Sequence, residues 1–294
     1  MVFPNHTLYF PGNVRRKLSI LNKKLVEWTI CFLLVLLLIS CQQDEAQRMF
    51  DNGMSLWKEQ KYDESVQNLI ALTKAFPNHH LVDDSLFWIA NIYEHYLKNP
   101  EEAIRFYRSL NSKFENSDYN VRSMMGLSRV RSQQGDEGKR RAIRILLKLQ
   151  KQTEPQLSDK QWENNQITLA ELFLDLKNYE QARAELKRLI YEKPNSELTP
   201  SAYFQIGLSY QMQGDLDLAK ITFIEADKKY GHQKESLSSA LSLASIYEET
   251  GQLNEAIAVY NTILKRLKKQ EVIYQLASNR IQKLKLRVKK TKTG

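Results

Sequence analysis

From residue 46 onward the chain repeats one order of residue types rather than one string of letters. A small residue is followed at helical spacing by an aromatic, then a turn, then Ala or Ser, then large apolar positions three or four residues apart. The order is plainest in Ala170, Phe173, Tyr179, Ala182, Leu186, Leu189 and Pro194, and again in Gly207, Tyr210, Gly214, Ala219, Phe223 and Ala226. Four more copies follow it loosely: Gly53, Tyr62, Ser65 and Leu69; Ala90, Tyr93, Ala103, Tyr107 and Leu110; Gly126, Gly135 and Ala142; and Ala244, Tyr247, Gly251, Ala256, Tyr260 and Ile263. Apolar residues three and four apart share one face of an α-helix. Each copy therefore predicts two helices joined by a tight turn, with small residues where they cross so that the backbones approach closely. The third copy predicts a stretched turn, from Gln133 to Arg141.

The equivalent small residues at 65, 103, 142, 182, 219 and 256 recur every 37 to 40 positions. This order resembles the tetratricopeptide repeat, whose nominal period is ~34, so longer linkers between hairpins are expected. The resemblance implies an all-α solenoid of about six helical hairpins over residues 46–270, because a lone hairpin cannot bury its apolar face and neighbours must stack. Residues 271–294 supply a capping helix and tail. Ile273, Leu276, Ala277, Ile281, Leu284 and Val288 recur at helical spacing toward the array. Arg280, Lys283, Lys285, Arg287, Lys289 and Lys290 form a basic opposite side, either solvated or facing anionic lipid or an acidic partner.

Ahead of the repeats the pattern changes. Arg15, Arg16, Lys17, Lys23 and Lys24 precede an apolar run from Trp28 to Ile39. A basic segment, a short apolar core and a small residue before a cut are the parts of a secretory signal, and a dozen apolar residues fall short of the ~20 needed to span a bilayer. Leu38-Ile39-Ser40-Cys41 resembles the lipobox of bacterial lipoproteins. That resemblance implies that residues 1–40 are an N-terminal extension and signal peptide, that Cys41 becomes the lipidated first residue, and that 41–45 form a tether. More than one acyl chain on Cys41 would give stable membrane anchoring. Gln42, rather than Asp, after the cysteine resembles the signal for release to the outer membrane.

The net charge of +9 is uneven. Residues 1–40 hold five Lys/Arg and one Glu, residues 264–294 hold eleven and one, and residues 41–263 are net acidic. The basic character thus belongs to the leader and the tail, which argues against nucleic-acid binding by the array. The two cysteines, Cys31 and Cys41, both lie in the leader region, so neither a disulfide nor a thiolate site is expected in the body. No metalloprotease, serine-hydrolase or phosphate-loop motif occurs. His79-His80 with Asp83 and Asp84 sits in an inter-repeat turn where adjacent side chains are expected to point apart, and Glu248-Glu249 reads as solvated charge. No enzyme activity, cofactor, metal or small-molecule substrate is expected.

In tetratricopeptide arrays the inner wall comes from the first helix of each hairpin. Carried over by register, it comprises Phe50, Met54 and Trp57 in the first repeat and Phe87, Asn91 and His95 in the second. These copies hold the most aromatic and Met side chains, suited to an extended peptide or a helix. A lipobox close before such repeats resembles the outer-membrane lipoproteins of the BamD type, periplasm-facing scaffolds of β-barrel assembly, and Phe76-Pro77-Asn78 and Lys193-Pro194-Asn195-Ser196 resemble that family's repeat ends. The same parts also resemble Tol-Pal-associated repeat proteins and the pilotin lipoproteins of type IV pilus secretins. All imply protein or peptide partners of the cell envelope and a membrane contact through the N-terminal lipid.

Overall fold

The computed structural model describes residues 45–151, 157–231, 233, 236–269 and 271–293. The predicted signal peptide and the Leu38, Ile39, Ser40 and Cys41 motif lie outside them. Among the described residues there is no strand. The helices are α1 (45–58), α2 (Tyr62–Ala75), α3 (Leu81–His95), α4 (Pro100–Lys113), α5 (Asn120–Ser132), α6 (Gly135–Lys151), α7 (Asp159–Asp175), α8 (Tyr179–Glu192), α9 (Thr199–Gln213), α10 (Leu216–Tyr230), α11 (Leu237–Glu249), α12 (Leu253–Arg266) and α13 (Val272–Thr293). They form two compact units, one ending at Tyr119 and one beginning at Asn120. The first contains the hairpins α1/α2 and α3/α4. The second contains α5/α6, α7/α8, α9/α10, α11/α12 and the closing helix α13. Among the described residues the all-α architecture, helical hairpins in each unit and a closing C-terminal helix, is thus as the residue pattern predicts.

The repeated small residues sit at the crossings. Ala90, Ala103, Ala170, Ala182, Ala219, Ala244 and Ala256 are fully buried. Gly207 is the tightest case, since a Cβ there would lie 2.3 Å from the ring of Phe223 on the partner helix. In the first hairpin Ser65 takes the alanine position, and its buried hydroxyl donates to the Gly53 carbonyl oxygen at 2.7 Å. The hydroxyl stays buried because it is hydrogen-bonded across the crossing.

Each hairpin also turns through one residue in the left-handed region: Gln60, Lys98, Gly135, Lys177, Gly214 and Gly251 in order, with φ between 53° and 88°. The shared left-handed turn residue marks the six hairpins as alike although only three of these residues are glycine. For the other three, the left-handed backbone costs about 1–2 kcal/mol, held in place by the packed helices on both sides. Helix starts add local support. Asn99 and Asp215 accept from Glu102 and Leu218 backbone N–H groups, and Ser158 and Gln161 make a reciprocal capping box, each worth about 1 kcal/mol.

The structure differs from five expectations. The predicted long turn of the third hairpin is short, because α6 begins at Gly135 and only residues 133–134 separate the helices. Gly135 takes the left-handed turn, Gly138 has no room for a side chain beside the Arg131 carbonyl oxygen, and the acidic Asp136 and Glu137 occupy the first turn, where the helix dipole favours them. His79 and His80 do not point apart; their rings lie 4.2 Å from each other, and His79 Nδ1 accepts the Leu81 N–H at 3.2 Å. Leu276 faces solvent, whereas Ala277, Ile281 and Leu284 make the α13 seam. Glu248 is buried rather than solvated. It accepts from Arg280 Nε and Nη2 at 2.7–2.8 Å and from the Tyr260 hydroxyl at 2.9 Å, so α11, α12 and α13 are fastened at one carboxylate. Arg280, which the helical periodicity assigns to the basic opposite side of α13, is half-exposed and serves that ion pair. A second clamp, Asp227 with Arg266 in bidentate contact at 2.6 and 2.9 Å, joins α10 to α12.

Candidate functional site

In the N-terminal unit, Phe50, Met54 and Trp57 fall at i, i+4 and i+7 on α1, one helical face, and all three are partly exposed. The last of them begins a row of rings. Trp57 lies 5.1 Å from Trp88 of α3 and meets Tyr96 edge-on at 6.2 Å, and Tyr96 stacks on Tyr62 at 4.5 Å. Trp88 meets Phe87 edge-on at 6.0 Å, and Phe87 stacks on Tyr119 at 4.6 Å. Offset and edge-on pairs at such distances are the favoured ones, each adding roughly 0.5–1.5 kcal/mol beyond area burial. The rings of Tyr62, Trp57, Trp88, Phe87 and Tyr119 all stay partly exposed, and Tyr96 is exposed. Packing therefore orders the row without sealing it.

An acidic line accompanies the rings on α3. Asp84 is partly buried and takes the Tyr119 hydroxyl as a hydrogen-bond donor; burial pushes its carboxyl up, and that hydrogen bond partly offsets the rise. One carboxylate oxygen of Glu94 accepts from the Tyr107 hydroxyl at 2.8 Å and lies 3.6 Å from His95 Nε2. Asn91 is partly buried and stands one turn beyond Phe87, and His95 is exposed. The structure thus brings Trp57 and Phe87 into one row through Trp88 and places Asn91 and His95 on the same helix, bordered by carboxylates. Phe50 and Met54 extend the α1 face without joining the row. The resulting surface is apolar and half-open, suited to hold a peptide carrying apolar side chains. Among the described residues no group of three or more His, Cys, Asp or Glu is placed to hold a metal ion.

Sequence reasoning missed Trp88, the joint of the row, because it falls between register positions; the density of aromatics from Phe87 to Tyr96 was the available signal. It also missed a cleft of about 850 Å³ in the C-terminal unit, between α8 and α10 and floored by α9. Tyr191, Pro194, Tyr203, Tyr210, Tyr230 and Lys229 line it. There the Tyr203 hydroxyl donates to Glu225 at 3.1 Å and accepts from Lys229 at 2.7 Å. Burial raises the Tyr203 phenol, and hydrogen bonds to Glu225 and then Tyr203 hold Lys229 well above the usual lysine range. These tyrosines come from different repeat positions, so no single register points to the cleft.

Comparison with known proteins places these observations. Models of the tetratricopeptide repeat match residues 84–117, 168–196 and 201–231, and a further tetratricopeptide model matches residues 237–266. No curated protein matches by sequence. Among solved structures, the C-terminal part of a TPR repeat-containing protein from Cytophaga hutchinsonii is similar at 14% identity, covering 79% of this chain and 87% of that one with a TM-score of 0.60. A tetratricopeptide repeat protein from Parabacteroides merdae is similar at 14% identity over 84% of this chain and 92% of that one, with a TM-score of 0.55. At this identity the likeness shows the fold alone.

Proposed function

Because this chain is a tetratricopeptide-repeat protein, we propose that it is a non-enzymatic scaffold, lipid-anchored at Cys41 in the bacterial cell envelope, that grips peptide segments of protein partners along the Phe50–Met54 face of α1 and the ring row that continues it in the N-terminal unit. The site of action is the outer membrane facing the periplasm, and the task is β-barrel protein assembly in the manner of the BamD-type lipoproteins. The observation that carries the binding reading is the half-open row Tyr62–Tyr96–Trp57–Trp88–Phe87–Tyr119 beside Asp84 and Glu94. Aromatic side chains that are ordered before binding lose little conformational entropy when a partner arrives, which favours affinity. The Leu38-Ile39-Ser40-Cys41 motif, placed directly ahead of α1 in the sequence, supports the anchor.

Labelled palmitate is expected to enter the protein through Cys41 and to be lost in Cys41→Ala; undiminished labelling of that variant removes the lipoprotein reading. Crosslinking from envelope membranes tests the task, since barrel-assembly components, Tol-Pal components and pilus secretins are separable products and only the first agrees with the proposal. The groove is tested by Phe50→Ala with Met54→Ala. These side chains stand outside the ring contacts, so helicity should be kept while crosslinked partner falls roughly tenfold, as expected from losing anchors worth about 1 kcal/mol or more. Phe87→Ala is the poorer probe because it also removes the stack on Tyr119. Unchanged crosslinking in the α1 double variant would place the grip elsewhere.

A further inference from the structure

We propose that the outward face of α13 is a second membrane contact, lying against anionic lipid headgroups and acting independently of any lipid anchor. The helix packs through Ala277, Ile281 and Leu284, all buried in the last core cluster. At about 100° per residue the positions 272, 276, 279, 283, 286 and 290 form one line on the side of the helix away from that seam, beside the polar Gln275 and Gln282. They read Val, Leu, Asn, Lys, Leu and Lys, and Val272, Leu276 and Leu286 are 81%, 57% and 63% exposed. A helix that meets only water carries its apolar stripe on the core side and polar residues opposite. Scattered exposed leucines are ordinary, but here three large apolar residues share one line pointing away from the core.

Charge identifies what covers that line. Residues 120–263 balance nineteen Lys/Arg against nineteen Asp/Glu, whereas residues 264–294 carry eleven against one. Lys283 and Lys290 stand within the line and Arg287 flanks it; all three are exposed. An acidic protein surface would answer the charges and leave the apolar line unexplained. A bilayer surface answers both, because side chains such as Leu276 enter the headgroup–acyl boundary while ammonium groups pair with phosphates. At 22 residues α13 extends about 33 Å, enough to lie along a membrane. Among the described residues no helix is long and apolar enough to cross one.

The test uses the full chain with Cys31→Ser and Cys41→Ser, which excludes acylation, and Asn279→Cys labelled with an environment-sensitive fluorophore that reports on α13 alone. Emission should brighten and shift to the blue on adding phosphatidylcholine vesicles containing about 30 mol% phosphatidylglycerol, and change little with phosphatidylcholine alone. Lys283→Glu with Lys290→Glu should lower vesicle affinity by roughly 25-fold or more, about fivefold per charge. Leu276→Ser with Leu286→Ser should reduce the blue shift, and circular dichroism should show both variants folded. An equal shift with neutral vesicles, no shift with either, or full affinity in the charge-reversed variant overturns the proposal. A shift on adding polyglutamate but not vesicles overturns it in favour of an acidic protein.

Discussion

Phe223→Ala should destabilise the C-terminal unit by about 3–5 kcal/mol, read as a fall in the midpoint of chemical unfolding. Phe223 is fully buried in a cluster with Ala219, Leu243 and Ile246, so its ring joins the α9/α10 hairpin to α11. In a stacked array each interface stabilises its neighbours, so a void at this joint loosens units on both sides. Gly207→Ala attacks the same contact from the other helix. Its new Cβ meets the buried ring at 2.3 Å, and the ring has no free space to retreat into. A cost of about 1–3 kcal/mol is expected from overpacking. Shrinking the ring should relieve the clash, so Gly207→Ala combined with Phe223→Leu should cost clearly less than the two single changes added. Strict additivity in that double-mutant cycle would falsify the account of the crossing.

Arg280→Ala should cost the same unit about 2–3 kcal/mol and free α13, because it leaves the buried Glu248 carboxylate with the Tyr260 hydroxyl as its remaining partner among those three. The figure belongs at the lower end, since the Arg280 side chain is half-exposed. Replacing both charges, Glu248→Leu with Arg280→Leu, should be milder than Arg280→Ala alone, because no carboxylate is then stranded. The same joint predicts an alkaline transition. Burial first, and then its hydrogen bond to Glu248, push the Tyr260 phenol up to about 12. An unfolded tyrosine titrates near ~10. The native state therefore holds this proton more tightly, its contribution is complete below pH ~10, and it is lost as pH rises toward ~12. Phenolate absorbance should show a late-titrating tyrosine that disappears in Tyr260→Phe, and the variant should lose less stability than the parent across that window. A parent and variant with identical alkaline profiles would remove the assigned linkage.

Much of the array is legible in the residues because its determinants are local. Helical periodicity, small residues at the crossings and aromatics before the turns fix helix pairs, and pairs with one apolar face each must stack. That reasoning yields the six hairpins, the buried alanines and the capping seam of Ala277, Ile281 and Leu284. It also separates the net-acidic body from the basic tail, since charge is counted without knowing the fold.

What only the tertiary structure decided lies where side chains from distant positions meet. Gln60, Lys98 and Lys177 turn through the left-handed region as Gly214 and Gly251 do, and nothing in the letters requires it; the packed helices on either side impose it. Glu248 reads as a surface charge until α13 delivers Arg280 from 32 residues away. Trp88 reads as an ordinary helix residue until Trp57 and Phe87 close on its two sides, and the tyrosine cleft of the C-terminal unit exists only once α8, α9 and α10 are assembled. Periodicity states which face of a helix is apolar. The partner that covers this face, and the polar atom that must then be satisfied beneath it, follow from three-dimensional packing.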